Sequence, residues 1–377
     1  MKYVKCRKMR LLALNFFWVS VALIMVSSCA ITNNKTQKDV NAFTSSNNMV
    51  SNNKMKTRIN ASNETNFPPI KESFLSSSAM SWVICNTGEI MLSTDAGQSW
   101  YPLVIKLGEV DTIHFLNKKT GWLVNSKGEV WRTEDGGQNW LNISTLKPGT
   151  ESDWEYTSTL QVNFSNEKQG WLIEAFSVWR TEDGGSNWKR ILDSSTANWK
   201  GQPTKGTFLS TPKAFITTTE AEIYITDNRG INWRMIHLGK SVTIEDIYFI
   251  NERVGWLSGY SNSQDGGIFF RTNNGGISWK QYGQIDSNIY IDSIQFLNIN
   301  EGWIAGGKTI SESDFQAVLL HTLDGGETWN EINIGKDEKY FHKIYFESSE
   351  NGWCVSDDKV YRIRNGKLSI IFDTFKL

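Results

Sequence analysis

Proline, cysteine and histidine are all scarce in this chain of 377 residues, with six, four and four of each. The cysteines cannot frame a disulfide-stapled scaffold, because Cys6 and Cys29 belong to the N-terminal end and leave Cys85 and Cys354 for the rest. His114, His237, His321 and His342 show no paired ligand spacing, so neither a metal site nor histidine-assisted nucleophilic catalysis has a foothold. A nucleophile elbow and a phosphate loop are absent too. Neither sign of charge dominates: 39 Lys and Arg face 40 Asp and Glu, which leaves no field to draw the protein onto nucleic acid. Aromatic residues, by contrast, make up 12% of the chain, ample for a large core.

Lys2, Lys5, Arg7, Lys8 and Arg10 precede an apolar run over 11–26, the basic start and greasy middle of an export signal. The run ends Val26-Ser27-Ser28-Cys29, which resembles a bacterial lipobox. That resemblance implies lipidation at Cys29 and an exported, membrane-anchored lipoprotein facing outside the cytoplasm, in the periplasm or at the cell surface. An uncleaved anchor and a plain cleaved signal are the alternatives. After the signal peptide (1–29), residues 30–68 are rich in Asn, Ser, Thr and Lys and read as a disordered linker, spanning about 35 Å root-mean-square. Pro68-Pro69 marks the entry to a folded domain over 69–377.

That domain repeats one pattern, Ser/Thr-x-Asp-x-Gly-x-x-Trp. Its copies carry Asp95, Gly97 and Trp100; Asp135, Gly137 and Trp140; Asp183, Gly185 and Trp188; Asn228, Gly230 and Trp233; Asn274, Gly276 and Trp279; and Asp324, Gly326 and Trp329. One unit reads over 111–143 as four short strands, with the Asp135-Gly136-Gly137 turn between the third and fourth. Units of four antiparallel strands at this period describe propeller blades. A second-strand marker survives where the turn has decayed. Trp82, Trp122, Trp171, Phe215, Trp256, Trp303 and Trp353 count seven blades, so the fold class is all-β, a seven-bladed β-propeller.

The turns resemble the Asp-box (BNR) repeats of sialidases, sortilin-type receptors and xyloglucanases. The added Gly-Trp strand, as in Gly302-Trp303-Ile304-Ala305-Gly306-Gly307, looks most like the photosystem II stability/assembly factor-like propellers. The resemblance implies a structural box, its aspartate bonding turn amides and its tryptophan packing between strands. Asn228 and Asn274 keep an amide-bonding oxygen, so both boxes are expected to survive. Calcium needs six to eight oxygens, whereas each box aspartate supplies one carboxylate and two of the six boxes have lost it, which favours turn chemistry over a metal.

Because every box joins strands three and four, all boxes share one face, and the connections from two to three and from blade to blade share the other. Long connections are expected on that other face at 144–157, 192–206, 258–267, 282–290 and 306–316. They carry Trp154, Tyr156, Trp199, Tyr260, Tyr290 and Phe315, side chains suited to protein or carbohydrate recognition or else capping the blade ends. Aligning the first strands on Phe115, Phe249, Phe296 and Phe346 puts Asp111, Glu245, Asp292 and His342 in equivalent places beside the central channel, as a polar ring or as solvated channel walls.

Enzyme readings fare less well. Arg132, Arg180 and Arg271 sit one residue before a box threonine, toward the wrong face for a sialidase clamp, and Asp153, Glu155 and Asp292 are glycosidase candidates by location alone. Cys85 and Cys354 read as two buried thiols ahead of a disulfide clasp. The leading expectation is a non-enzymatic protein-binding or complex-assembly factor that acts through the face opposite the boxes. It needs no cofactor or metal and touches the membrane through its N-terminal lipid alone. A carbohydrate-active enzyme or glycan-binding module is the alternative, and a photosystem II assembly factor a third for a photosynthetic source.

Overall fold

The computed structural model describes residues 49–51 and 69–374, apart from 76–79, 87, 104–106, 147–158, 175, 194–200, 210–211, 240–241, 262–265, 283–284, 312–313 and 336–337. The segment read as a signal peptide, Cys29 and most of the segment read as a linker lie outside the described residues, as do Asp153, Trp154, Glu155, Tyr156 and Trp199. Seven antiparallel sheets of consecutive strands follow one another along the chain, and each innermost strand packs beside the next. Blade 1 covers 70–102, blade 2 110–145, blade 3 159–193, blade 4 203–237, blade 5 242–281, blade 6 289–331 and blade 7 343–373.

The Gly-Trp pair has a packing origin. Phe296 pairs across strands with Gly302, where an added Cβ would lie 2.5 Å from the phenylalanine ring, so the ring lies flat on glycine. Its other face stacks on Trp256 of the preceding blade at 3.7 Å and 1°, and the box residue Trp329 meets it edge-on at 6.2 Å. The same sandwich recurs with Trp122 on Phe164, Phe215 on Phe249 and Trp303 on Phe346. Each blade therefore caps its neighbour with aromatic surface, which is why aromatic residues dominate the largest buried side chains.

Among the described residues, closure between blades 7 and 1 uses no exchanged strand. Leu75, Val83 and Met91 pack on Trp353, Val355 and Phe372, Trp100 Nε1 donates to Ile371 O (2.8 Å), Arg362 donates to Ala96 O (3.0 Å), and Lys343 bonds Glu72 and Ser73 O. All ring strands lie within 70–373 and close on themselves, so 48–377 is a self-contained folding unit. Cys85 and Cys354 are both buried and unbonded to each other.

The box works as a hydrogen-bonded turn. Thr133 Oγ1 donates to Asp135 Oδ1 (2.9 Å) and accepts from Gly137 N (2.8 Å), while Asp135 Oδ1 accepts from Asn139 N (2.9 Å). Gly137 has φ +86°, and a Cβ there would sit 2.4 Å from Trp82. Asn228 and Asn274 accept the equivalent amide bonds from Asn232 (2.9 Å) and Ser278 (3.1 Å). Burial pulls the Asp324 carboxyl up, but bonds from Thr328 and Thr322 outweigh it and hold the group down at about 2. The turn also receives a bond from the preceding blade, as when Trp122 Nε1 donates to Gly184 O (2.8 Å). Asp324→Ala is therefore expected to cost about 1–2 kcal/mol. Asp324→Asn should recover most of that loss, since Asn274 with Ser278 already shows the neutral version of the turn. Urea unfolding of the two variants, with and without calcium, measures both statements and reads a calcium contribution directly.

Two expectations need correction. Met49–Ser51, within the stretch read as disordered linker, forms a fifth strand on the outer edge of blade 2, pairing Met49 with Leu141 and Ser51 with Asn139. That outer strand, Asn139–Thr145, is seven residues long and would otherwise leave its outward backbone groups unpaired. The expected long loops at 258–267 and 306–316 are largely strand: Gly255–Ser261 pairs with Gly266–Thr272, and Gly302–Ser311 with Asp314–Thr322. Glycines in these segments masked the continuing ladder in the sequence. The innermost strand of blade 4 likewise starts at Pro203, inside the 192–206 connection.

Candidate functional site: the channel mouth and an aromatic row

In each of blades 1 to 6 the innermost strand carries one register shift at the same place, which leaves Lys71, Asp111, Leu160, Thr204, Glu245 and Asp292 as the extra residues. Such bulges bend a strand and re-aim a side chain. His342 holds the matching position in blade 7, its N–H donating to Val355 O (2.8 Å). In blades 3, 5 and 6 the residue after the bulge covers the exposed strand edge of the next blade. Gln161 Oε1 accepts from Gly206 N (3.0 Å), Asp246 Oδ2 from Ile294 N (3.0 Å) and Ser293 Oγ from Ile344 N (3.2 Å). Innermost edges are thus satisfied without a further strand.

Ion pairs run across these edges. Lys71 Nζ lies 2.6 Å from Asp111, which is buried. Lys205 Nζ lies 2.9 Å from Asp246, and Lys343 bonds Glu72. Burial pulls the Glu72 carboxyl up, but Lys343 outweighs it and holds the group below the usual range; for Lys205, Asp246 outweighs the lowering effect of burial. Glu245 is half-buried on its bulge in blade 5.

Blades 6 and 7 assemble a connected polar cluster. Tyr340 Oη donates to Asp292 Oδ1 (3.0 Å). His342 uses Nδ1 toward Asp292 Oδ2 (3.2 Å) and Nε2 toward Asp357 Oδ1 (2.8 Å). Burial alone would lower the imidazole pKa, yet the bonds and charges of Asp292 and Asp357 raise it to about 9.

An aromatic row leads away from this cluster. Ring centroids are 5.1 Å apart from His342 to Tyr340, 5.9 Å to Phe315, 6.1 Å to Tyr290 and 6.3 Å to Tyr260. Close backbone approach permits it, since a Cβ at Gly306 would stand 1.8 Å from Tyr290 O and one at Gly307 2.2 Å from the Tyr340 ring.

The sequence-predicted residues therefore divide. Asp292 and His342 meet, Tyr260 and Phe315 join the row that leads to them, and Asp111 pairs elsewhere with Lys71. Sequence reasoning missed Tyr340, Lys71, Glu72, Lys205, Asp246 and Lys343. Leu75 in place of the aligning phenylalanine hid the first strand of blade 1, and the residue after each bulge reads as core by alternation. Arg132, Arg180 and Arg271 lie over Trp122, Trp171 and Trp256 at 5.4, 5.9 and 5.6 Å, packing the box end of their blades. Among the described residues no group of three or more His, Cys, Asp or Glu could hold a metal ion.

Comparison with known proteins fits this architecture. The family model described as photosynthesis system II assembly factor YCF48 matches residues 103–237 and 231–339, more than half of the chain. Photosystem II assembly protein Ycf48 of Thermosynechococcus vestitus is 29% identical over 103 residues, a match covering 24% of this chain and 27% of that protein, so about a quarter of the relative's length is spanned. Among solved structures, YCF48 bound to D1 peptide superimposes with a TM-score of 0.61 at 20% identity, covering 80% of this chain and 94% of that one. YCF48 from Cyanidioschyzon merolae gives 0.62 at 17%, over 80% and 97%. The GH74 xyloglucanase from Xanthomonas campestris gives 0.63 at 11%, over 82% and 55%. Likeness at such identities shows the fold alone. By the extent of the family match, the chain belongs to the family of the photosynthesis system II assembly factor YCF48.

Proposed function

We propose that this chain is a lipid-anchored, extracytoplasmic propeller that binds a protein partner, without catalysis, through the face opposite the boxes. The observation that carries the reading is the row Tyr260, Tyr290, Phe315 and Tyr340 ending on the Asp292–His342 pair. Aromatic anchors beside a charged, hydrogen-bonded group are what protein interfaces concentrate at their centres. A protein of the same fold, YCF48, is known bound to D1 peptide, which supports a protein ligand. The partner here is a photosystem II component where the source genome carries photosystem genes, and another envelope complex where it does not. Cys29 carries the lipid; Cys29→Ser is expected to release the protein from membranes after signal cleavage.

A pull-down from the source organism's own membranes tests the binding reading, with Phe315→Ala/Tyr340→Ala as the contrast. Specific capture lost in the variant supports it. Hydrolysis of a common glycan that vanishes with one carboxylate change would overturn it in favour of an enzyme.

A further inference from the structure

Two box turns depart from the others in two ways at once. Asn228 and Asn274 stand where the other boxes have aspartate, and three residues later come Ile231 and Ile277, where the others have Gln98, Gln138, Ser186 and Glu327. Both isoleucines project into solvent, 76% and 64% exposed. The turn itself does not require the change, since aspartate and asparagine boxes make the same amide bonds. A carboxylate pressed against an apolar phase costs several kcal/mol of lost hydration, and asparagine at these two boxes removes that cost.

The two boxes belong to consecutive blades, 4 and 5, on one face. Around them Arg229, Arg253 and Lys280 are exposed cations. The carboxylates there are Glu252 and Asp227, and Asp227 lies between Lys213 Nζ (3.1 Å) and Arg234 Nε (3.7 Å). The surface thus combines protruding aliphatic tips, asparagine in place of both box aspartates and an excess of positive charge, with the one carboxylate inside these boxes, Asp227, held between Lys213 and Arg234. Protein hot spots sit in desolvated pockets, whereas aliphatic tips ringed by cations match the boundary of an anionic bilayer.

We propose that the box face of blades 4 and 5 docks on an anionic lipid surface, with Ile231 and Ile277 entering the headgroup boundary and Arg229, Arg253 and Lys280 meeting the phosphates. Blade 6 limits the patch, because Asp324 and Glu327 restore the carboxylates. This contact is additional to the N-terminal lipid, is independent of the partner reading, and turns the opposite face outward from the membrane.

The test uses the self-contained unit 48–377, which lacks the apolar run over 11–26, sedimented with vesicles of equal parts phosphatidylcholine and phosphatidylglycerol and with phosphatidylcholine alone. Binding is expected to the anionic vesicles and to be weak to the neutral ones. Ile231→Glu/Ile277→Glu should reduce partition roughly tenfold or more at an unchanged melting midpoint, since both side chains are exposed. Gln138→Glu/Ser186→Glu, on the boxes of blades 2 and 3, should leave partition as it was. Unbound wild type, or equal partition of wild type and the isoleucine variant, overturns the proposal. So does vesicle-independent capture of a protein that depends on Ile231 and Ile277, which would make the patch a protein interface.

Discussion

Trp256→Ala is expected to lower the unfolding free energy by about 3–5 kcal/mol, the range for truncating a large aromatic in a packed core. Trp256 is fully buried, stacks on Phe296 at 3.7 Å, carries Arg271 over its ring at 5.6 Å and donates Nε1 to Gly325 O at 3.2 Å. One truncation therefore opens a void between two blades and removes the bond that ties blade 5 to the blade 6 box. Trp256→Phe keeps the stack and loses the bond, and should cost only about 1–2 kcal/mol. Urea unfolding monitored by circular dichroism separates the two. Equal losses in both variants would show that the hydrogen bond, not the aromatic sandwich, holds the seam.

The second large effect lies at the channel mouth. His342 is raised to about 9 in the folded protein against roughly 6.5 in an unfolded chain. A raised imidazole stabilises the fold while the folded form holds a proton that the unfolded form has lost or shares. Its contribution is whole below about pH 6.5 and falls as pH rises toward 9, by about 2 kcal/mol once screening at the exposed Asp357 is allowed for. His342→Gln should remove this slope between neutral pH and 9. Unfolding free energies of both proteins at several pH values in that window measure it, and parallel curves would refute the double ion pair. Loss of the Asp292 contact should also loosen Tyr340, which shares the carboxylate, so partner capture is expected to weaken over the same window.

Much of the scaffold is legible in the sequence alone. The box recurs at Trp140, Trp188 and Trp329 with its threonine and glycines at fixed offsets, and the second-strand aromatics count blades even where Phe215 replaces tryptophan or blade 7 has lost its turn. Such local chemistry is readable because it is made within a few residues of itself: Thr133 bonds Asp135 and Gly137, and Asp135 bonds Asn139. The side on which the boxes lie followed from strand order, since a turn between strands three and four has one possible side. Ile231 and Ile277 stand in consecutive boxes of the sequence, but only the structure shows that both side chains project into solvent.

The sequence by itself determined the repeat, the blade count and the division into two faces, because period-two alternation and turn residues specify hairpins locally. Only the tertiary structure decided which charges meet. Lys343 bonds Glu72, 271 residues away, and Asp292 reaches His342 across 50; such pairs depend on ring closure and on a bulge that turns one residue per innermost strand, neither of which leaves a periodic trace. It also decided that the segments around Gly259 and Gly306 are ladders, where glycine signals close backbone approach, and that the aromatics at 260, 290, 315 and 340 form one continuous row.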